Sequence, residues 1–454
     1  MKKNSCAILL FMMLFSLSIQ AQTKMWTLEE CVKYAIDNNI SIKQTELDTK
    51  TADIDKKGAV GNFIPTVSSN ASHSWNVGLN MDPTTGLLRN QTTQYTSIGA
   101  GVGIDIYKGL QNQNALRKAN LSITAAKYQL TKMQEDVALN VANAFLQVLF
   151  NKENLKVQQE QKTINEKQLI RSEELVKAGS VPRGDLLDIK ATVASVNQKV
   201  VAAENALLIS KLSLAQLLQL KEFYDFDVTD DEVPQDQNNI LAQTPVTIYE
   251  KAKEQRTELK IARTNLEIAG KNVTIAKGAY QPTLQGFYNF NSRISYADTY
   301  SVVNGVPVVQ PSLPFEQQFS DNKGQAFGAQ LTIPIFNGYT VRNNVERSKV
   351  SLEKSKIAVE QEELALQRNV YTAFTDAKGG LNAYESSLSA LEARQEAYNY
   401  AKEKYAVGIM NSFDFNQAQT LLTNAQSEVL RTKYDYIFKI KILEFYFGIP
   451  IIKN

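Results

Sequence analysis

The chain holds one histidine, His73, and two cysteines, Cys6 and Cys31, in 454 residues. With no second imidazole, most histidine-based zinc and triad arrangements are excluded. Cys6 lies in the leading segment, residues 1–21, so a chain exported without that segment keeps only Cys31, and disulfides do not hold the fold together. Proline is missing from Pro83 to Pro182 and again from Pro334 to Pro450. Such stretches leave room for very long helices. Charge of one sign is missing too, with 49 Lys and Arg against 47 Asp and Glu and no basic run of the kind that tracks phosphate backbones. Nucleic acid is therefore a poor partner. Beyond residue 21 no window approaches the eighteen or more consecutive apolar residues that a membrane-spanning helix needs. If this protein crosses a membrane, it does so as a closed sheet of strands, the other way to satisfy backbone polar groups in lipid.

What is present comes twice. At an offset of 229, Val102–Gly109 falls on Leu331–Gly338, Gly179 on Gly408 and Asp185 on Asp414; at an offset of 217, Thr27 falls on Thr244, Ala35 on Ala252 and Pro65 on Pro282. The chain is two copies of one unit, and the change of offset places twelve extra residues inside copy two. Residues 1–21, with Lys2 and Lys3 ahead of the apolar run Ala7 to Leu17, are expected to be a signal peptide. The repeats are then 22–222 and 246–454, joined by a connector, 223–245. The acidic stretch at the connector, without Lys or Arg from Glu222 to Tyr249, is expected to be a solvated charged loop.

Within copy one, Thr27 to Lys57 has helical spacing, opened by Thr27 and Glu30 as a capping box. The period then becomes two. Thr66, Ser68, Asn70, Ser72, Ser74 and Asn76 alternate with Val67, Ala71, Trp75 and Val77, and Ile98 to Ile106 returns with glycines and serine on its polar face. This is the alternation of strands wet on one face and greasy on the other. Copy two repeats it, so hairpins are expected at about 66–107 and 283–334, four strands in all, with Ser295 to Lys323 a loop. His73 shares the apolar parity of Trp75 and is expected to be an interfacial residue; Cys31 is expected in a helix core. After each hairpin the spacing predicts a helix of coiled-coil length, about 100 Å if Leu110 to Ala178 is continuous. A return helix follows, with Ile189, Val193, Val196, Val200, Ala203 and Leu207 in heptad rhythm and Ala418 to Tyr436 in the same register. Gly379-Gly380 either bends the outgoing helix of copy two or marks a small-residue contact.

No phosphate loop or hydrolytic carboxylate pair stands out. Gly99-Ala-Gly-Val-Gly103 has the wrong spacing and precedes no Lys-Ser/Thr, and the helix acids have Lys partners at helical spacing. The expectation is a protein that is not an enzyme and needs no cofactor or metal. Four amphipathic strands cannot close a membrane barrel, so copies must combine. Two copies would fill the interior with side chains, whereas three would leave a lumen.

The duplication, the prolines at the sheet-to-helix junctions (Pro65, Pro282, Pro334), and the turns Lys177-Ala-Gly-Ser-Val-Pro-Arg-Gly-Asp-Leu-Leu-Asp188 and Lys404-Tyr-Ala-Val-Gly-Ile-Met-Asn-Ser-Phe-Asp414 together resemble the TolC-like outer membrane efflux protein family. The fold class this implies is mostly α with a β-barrel part: a homotrimer with a twelve-stranded barrel in outer membrane lipid, continued by a helical barrel through the periplasm. The implied function is the exit duct of a tripartite efflux pump, with a periplasmic adaptor and an inner-membrane pump of the RND type as partners. A type I protein secretion channel is the alternative within the family. From other classes, a periplasmic coiled-coil adaptor would carry one hairpin rather than two, and a structural stalk would not explain the four alternating strands.

The resemblance also implies roles for the turns. Lys177, Gly179, Arg183 and Gly408 belong to tips that receive the adaptor, and Asp185, Asp188, Tyr405 and Asp414 to the periplasmic aperture. Threefold rings of aspartate would favour cations there, while an Asp after a Gly turn can equally cap the next helix. Met410 and Gln417 depart from the family's closing residues, so Lys177 or Arg183 is expected to supply the positive partner.

Overall fold

In a computed structural model, residues 25–81, 87–221, 226–229 and 240–451 are described. The expected signal peptide, most of the connector and the 82–86 loop lie outside them. The described chain forms two units. One comprises residues up to Leu47, Lys127–Ile261 and Glu360 onward; the other comprises Asp48–Ala126 and Ala262–Val359.

The first unit is helical. Helix α1 (Leu28–Asn38) starts at a capping box, the Glu30 N–H donating to Thr27 Oγ1 at 3.2 Å and the Thr27 N–H to Glu30 Oε2 at 3.1 Å. The expected single helix is in fact two, because Asn39 turns extended (ψ 131°) before α2 (Ile40–Gly61). Copy two breaks at the equivalent residue, Arg256, also at ψ 131°, between α5 (Pro245–Gln255) and α6 (Thr257–Gly278). Asn39 is buried; its Oδ1 accepts from the Ser41 N–H at 2.9 Å, one of the donors left open at the start of α2, and its Nδ2 donates to the Leu217 carbonyl at 3.2 Å. Helices α3 (Gln111–Lys177) and α8 (Thr340–Ala406) run 67 residues each; the return helices α4 (Arg183–Leu218) and α9 (Ser412–Phe447) run 36 each.

The apolar core of this unit gathers Cys31, Val32 and Ala35 of α1, Val141, Phe145 and Leu149 of α3, and Leu214 and Leu218 of α4. Phe226 and Val228 join it, and Met25–Trp26 (β1) pairs in parallel with Asp227–Val228 (β4). Residues 226–229 of the connector are therefore packed on the core, not a solvated loop, while Ala242, Gln243 and Thr244 at its end are exposed. Phe226 and Val228 are buried, and the Asp227 carboxylate between them faces Lys211 at 3.1 Å and Lys152 at 3.7 Å. Helix α8 runs unbroken through Gly379-Gly380. A side chain at Gly380 would stand 3.4 Å from Tyr436 Cα of α9, so this glycine marks a close helix contact.

The second unit carries an antiparallel sheet in the order β2 (Thr66–Met81), β3 (Leu88–Lys108), β5 (Thr283–Ser295), β8 (Gly324–Thr332). Two further strands were not expected. Within the insert read as a loop, β6 (Thr299–Val303) and β7 (Val306–Gln310) form a hairpin through Asn304-Gly305, both at positive φ, and α7 (Phe315–Asp321) follows. An Asn-Gly pair between alternating valines is a hairpin signal, and it overrides the loop expected from Ser295 to Lys323. Helix α7 finishes the edge of β5 above the short strand β8. The Gln318 amide donates to the Ser295 carbonyl and accepts from the Ser295 N–H, both at 2.9 Å, as a neighbouring strand would.

Candidate functional site

The sheet has two unlike faces. Thr66↔Gly103, Ser68↔Gly101 and Asn70↔Gly99 pair on one, and Val67↔Val102, Ala71↔Ile98 and His73↔Thr96 on the other. The registers Val102↔Tyr288 and Tyr288↔Phe327 carry the apolar face across all four strands. In the single chain Val67 and Phe327, the two ends of that row, are 76% and 83% exposed, and a contiguous apolar face of this kind marks an interaction surface. His73 belongs to that face: its Nδ1 lies 2.8 Å from Thr96 Oγ1 and its ring meets Trp75 edge-on at 4.3 Å.

The polar face is built of carboxamides laid over glycines. A Cβ at Gly99 would lie 2.8 Å from Asn70 Oδ1, and one at Gly101 3.1 Å from Asn289 Oδ1. Lower down, Asp105 accepts from Lys108 Nζ and from Gln285 Nε2, both at 2.8 Å. A recess of about 560 Å³ there is lined by Thr66, Asp105, Gln285, Asn289 and Gln330. At the junction with the helices, Pro65 and Pro282 immediately precede β2 and β5, and Pro334 lies between β8 and α8. The chains of the two repeats nearly touch here. A Cβ on Gly109 would fall 2.1 Å from the Gly278 carbonyl oxygen, so only glycine fits.

At the far ends of the long helices, Gly179 (φ 72°) and Gly408 (φ 76°) close α3 and α8 in the same way. The Ser180 N–H donates to the Leu175 carbonyl and the Gly179 N–H to Val176; Ile409 and Gly408 do the same to Lys404 and Tyr405. These are paired Schellman caps, which satisfy the last carbonyls and need a left-handed residue. Lys177 is the last residue of α3 and Arg183 the first of α4; among the described residues neither makes an ion pair within the chain. Asp185 lies in the first turn of α4 behind Pro182, which offers no side-chain cap, and Asp188 is exposed one turn on.

In copy two the cap is Asn411, a residue the sequence reading passed over. Its Oδ1 accepts from the Asp414 N–H at 2.8 Å and its Nδ2 donates to Asp414 Oδ2 at 3.0 Å. Asp414 is thus the third residue of α9 in a reciprocal cap and not the capping residue itself, and its carboxylate stays exposed. Tyr405 stacks on Phe415 (4.7 Å between rings, 13°), which Tyr398 also meets at 5.7 Å. Burial pushes the Tyr398 hydroxyl above its ordinary value. The buried Phe415 is the second residue missed; Asn411 three before Asp414 and an aromatic next to it were the available signals.

A family model described as outer membrane efflux protein matches residues 32–219 and 248–441, one match on each repeat. Outer membrane protein TolC of Vibrio cholerae is 24% identical over 335 residues, 72% of this chain and 70% of that one. TolC of Escherichia coli K12 is 22% identical over 314 residues, which span 67% of this chain and 59% of the relative. Among solved structures, the Campylobacter jejuni outer membrane channel CmeC superposes with a TM-score of 0.75 at 18% identity, covering 93% of this chain and 85% of that chain. For the Vibrio cholerae outer membrane protein VceC the TM-score is 0.72 at 15% identity, with 93% and 96% covered. At such identities the structures speak for the fold.

Proposed function

The chain belongs to the outer membrane efflux protein family, and from that premise we propose that three copies close into a twelve-stranded barrel whose carboxamide-lined face encloses an aqueous bore. It is an outer membrane efflux channel, the exit duct of an efflux pump, standing in the outer membrane and reaching into the periplasm.

One observation carries the trimer: a four-stranded sheet, apolar on one face and polar on the other, ends in two edge strands, β2 and β8. In lipid such edges must be paired, and head-to-tail pairing of β8 with the next copy's β2 closes a ring. Eight strands would leave no bore, so three copies serve where two do not. The helices attached to those edges support this reading. Helix α2, which leads into β2, exposes Ile40, Leu47 and Ile54; α8, which leaves β8, exposes Val350, Ile357, Leu364 and Tyr371. Each stripe repeats every seven residues, the spacing of a coiled-coil seam.

In this reading residues 1–21 are removed on export, and 22–222 and 246–454 are the halves that each copy contributes, joined by 223–245. The tips at Gly179 and Gly408, with Lys177 and Arg183, receive a periplasmic adaptor that links the duct to an inner-membrane pump of the RND type. Asp185, Asp188 and Asp414 form threefold acidic rings at the aperture beside Tyr405, and Lys177 or Arg183 ties the closed tips. The protein extracted from outer membranes in detergent is expected to have the mass of three chains and to conduct ions across a planar bilayer. A monodisperse single chain that conducts nothing would overturn the proposal.

A further inference from the structure

The polar face of the sheet is built almost wholly from uncharged groups. Serines, carboxamides and glycines face one another in rows such as Asn70↔Gly99↔Asn291 and Ser68↔Gly101↔Asn289. Among the described side chains of the four strands, charge enters this face at two levels. At the helix end Asp105 is neutralised by Lys108 at 2.8 Å. Toward the other end Arg293 follows Asn289 and Asn291 along β5, and its row runs through Ser97 of β3 to Ser72 of β2. This cation is not neutralised.

Arg293 is exposed, yet it is held in place. Its guanidinium carbon lies 4.0 Å from the centre of the Tyr95 ring, and its backbone carbonyl accepts from Asn322 Nδ2 at 2.7 Å. Tyr95 pairs with Ser295, two residues on from Arg293, so the two side chains meet diagonally across neighbouring strands on one face. Among the described residues Arg293 makes no ion pair, with Asp298, Glu316 and Asp321 of the insert included, and no acceptor of the chain takes its side-chain N–H groups. Arg256 is the opposite case, with its donors spent on Glu135 and Glu258. A guanidinium stacked on one ring keeps its second face for another, and its fork of donors matches a carboxylate through two parallel bonds. The group that completes Arg293 is therefore a flat anion.

Closing three copies into a ring turns the polar face inward and repeats Arg293 threefold, in a wall whose other described strand side chains are uncharged at that level. Rings of arginine favour anions in a pore and oppose cations. We infer that the three Arg293–Tyr95 pairs form an anion site in the bore, which takes aromatic carboxylates from the passing cargo and hinders cations. The site presupposes the duct, since only the closed ring makes a bore of this face. Its sign is opposite to that of the acidic rings proposed at the tips, so the two are told apart by the direction in which their removal moves ion selectivity.

The test uses the full-length trimer in a planar bilayer with a KCl gradient, with 1-naphthoate as probe and 1-naphthylmethylammonium as its cationic counterpart. Naphthoate is expected to reduce the conductance of the unaltered protein, and the ammonium to leave it alone. R293Q is expected to raise the half-blocking naphthoate concentration about tenfold and to move the reversal potential further toward the potassium equilibrium potential. R293K keeps the charge without the flat fork, so it should hold the wild-type reversal potential and still lose most of the block. Arg293 is exposed, and trimer mass in detergent checks that each variant assembles. An R293Q channel with wild-type block and wild-type reversal potential overturns the anion site and leaves the duct standing; so does equal block by the ammonium. Equal block of R293K and the unaltered protein overturns recognition by the stacked guanidinium. Unaltered protein that conducts nothing overturns the duct reading itself.

Discussion

Asp414 shows how one side chain can serve two purposes that separate experimentally. Its carboxylate helps close the Asn411 cap and is also exposed at the tip. Asp414→Asn is expected to lose about 0.3–1 kcal/mol of helix-end stabilisation and to shift the bilayer reversal potential in a KCl gradient toward zero, as removal of the proposed acidic ring requires. Asn411→Ala should cost about 1 kcal/mol with the reversal potential unchanged. Elsewhere, Arg256 is nearly fully enclosed, lies 3.8 Å over the Phe445 ring, and meets Glu258 at 2.9 Å and Glu135 at 3.1 Å. The two acids respond oppositely. Burial raises Glu135 more than Arg256 lowers it; at Glu258 burial pulls upward too, but the hydrogen bonds and charge of Arg256 outweigh it and the carboxyl titrates below 4.5. A depressed carboxylate stabilises the fold above its unfolded pKa and loses that contribution as pH falls through its folded value; a raised one stabilises only below its unfolded pKa. Glu258→Gln should therefore cost about 1–3 kcal/mol at pH 7 and flatten the acid limb of Tm against pH below 4.5. Glu135→Gln should cost less at pH 7.

At the scale of elements, helix α8 offers two adjacent glycines in different surroundings. Nothing approaches within 4 Å of a Cβ at Gly379, whereas at Gly380 Tyr436 Cα is 3.4 Å away. Gly379→Ala should raise stability by about 1 kcal/mol through helix propensity alone. Gly380→Leu should push α8 off α9 and cost about 1–3 kcal/mol, read as Tm. Element type was legible wherever a period ran long enough to be counted, as in the Thr66–Asn76 alternation and the Ile189–Leu207 heptads. The interruptions at Asn39 and Arg256 were not legible. Each is one extended residue in a continuous helical pattern, and the distant partners that meet it, the Leu217 carbonyl and the Glu135 carboxylate, come from other parts of the chain.

The whole molecule is decided at its edges. Ile357 and Leu364 are more than half exposed on α8, so charging them leaves the single chain's own packing almost untouched. Ile357→Asp with Leu364→Asp is expected to give chains with wild-type helix content by circular dichroism that no longer assemble, seen as single-chain mass in detergent. Retention of full trimer would remove α8 from the seam. The candidate tip residues were legible in position, because the repeat offset aligns Gly179 with Gly408 and Asp185 with Asp414. Their chemistry was less so. The copies diverged locally, Pro182 beginning one return helix and Asn411 the other, so only one aspartate is held by a reciprocal cap.

The sequence by itself determined the duplication, the amphipathic strands and the long helices, since each is a periodicity in which every residue votes locally for the same backbone geometry. Tertiary structure alone decided which buried positions are dry and which are polar. Gln158, Gln161, Asn165, Gln168 and Ser172 keep the heptad spacing of a core, and only the fold shows that they are buried and that Gln161 accepts from the Gln419 amide of α9. Spacing is set by the backbone's own repeat, but the cost of a side chain is set by what the far end of the chain brings against it.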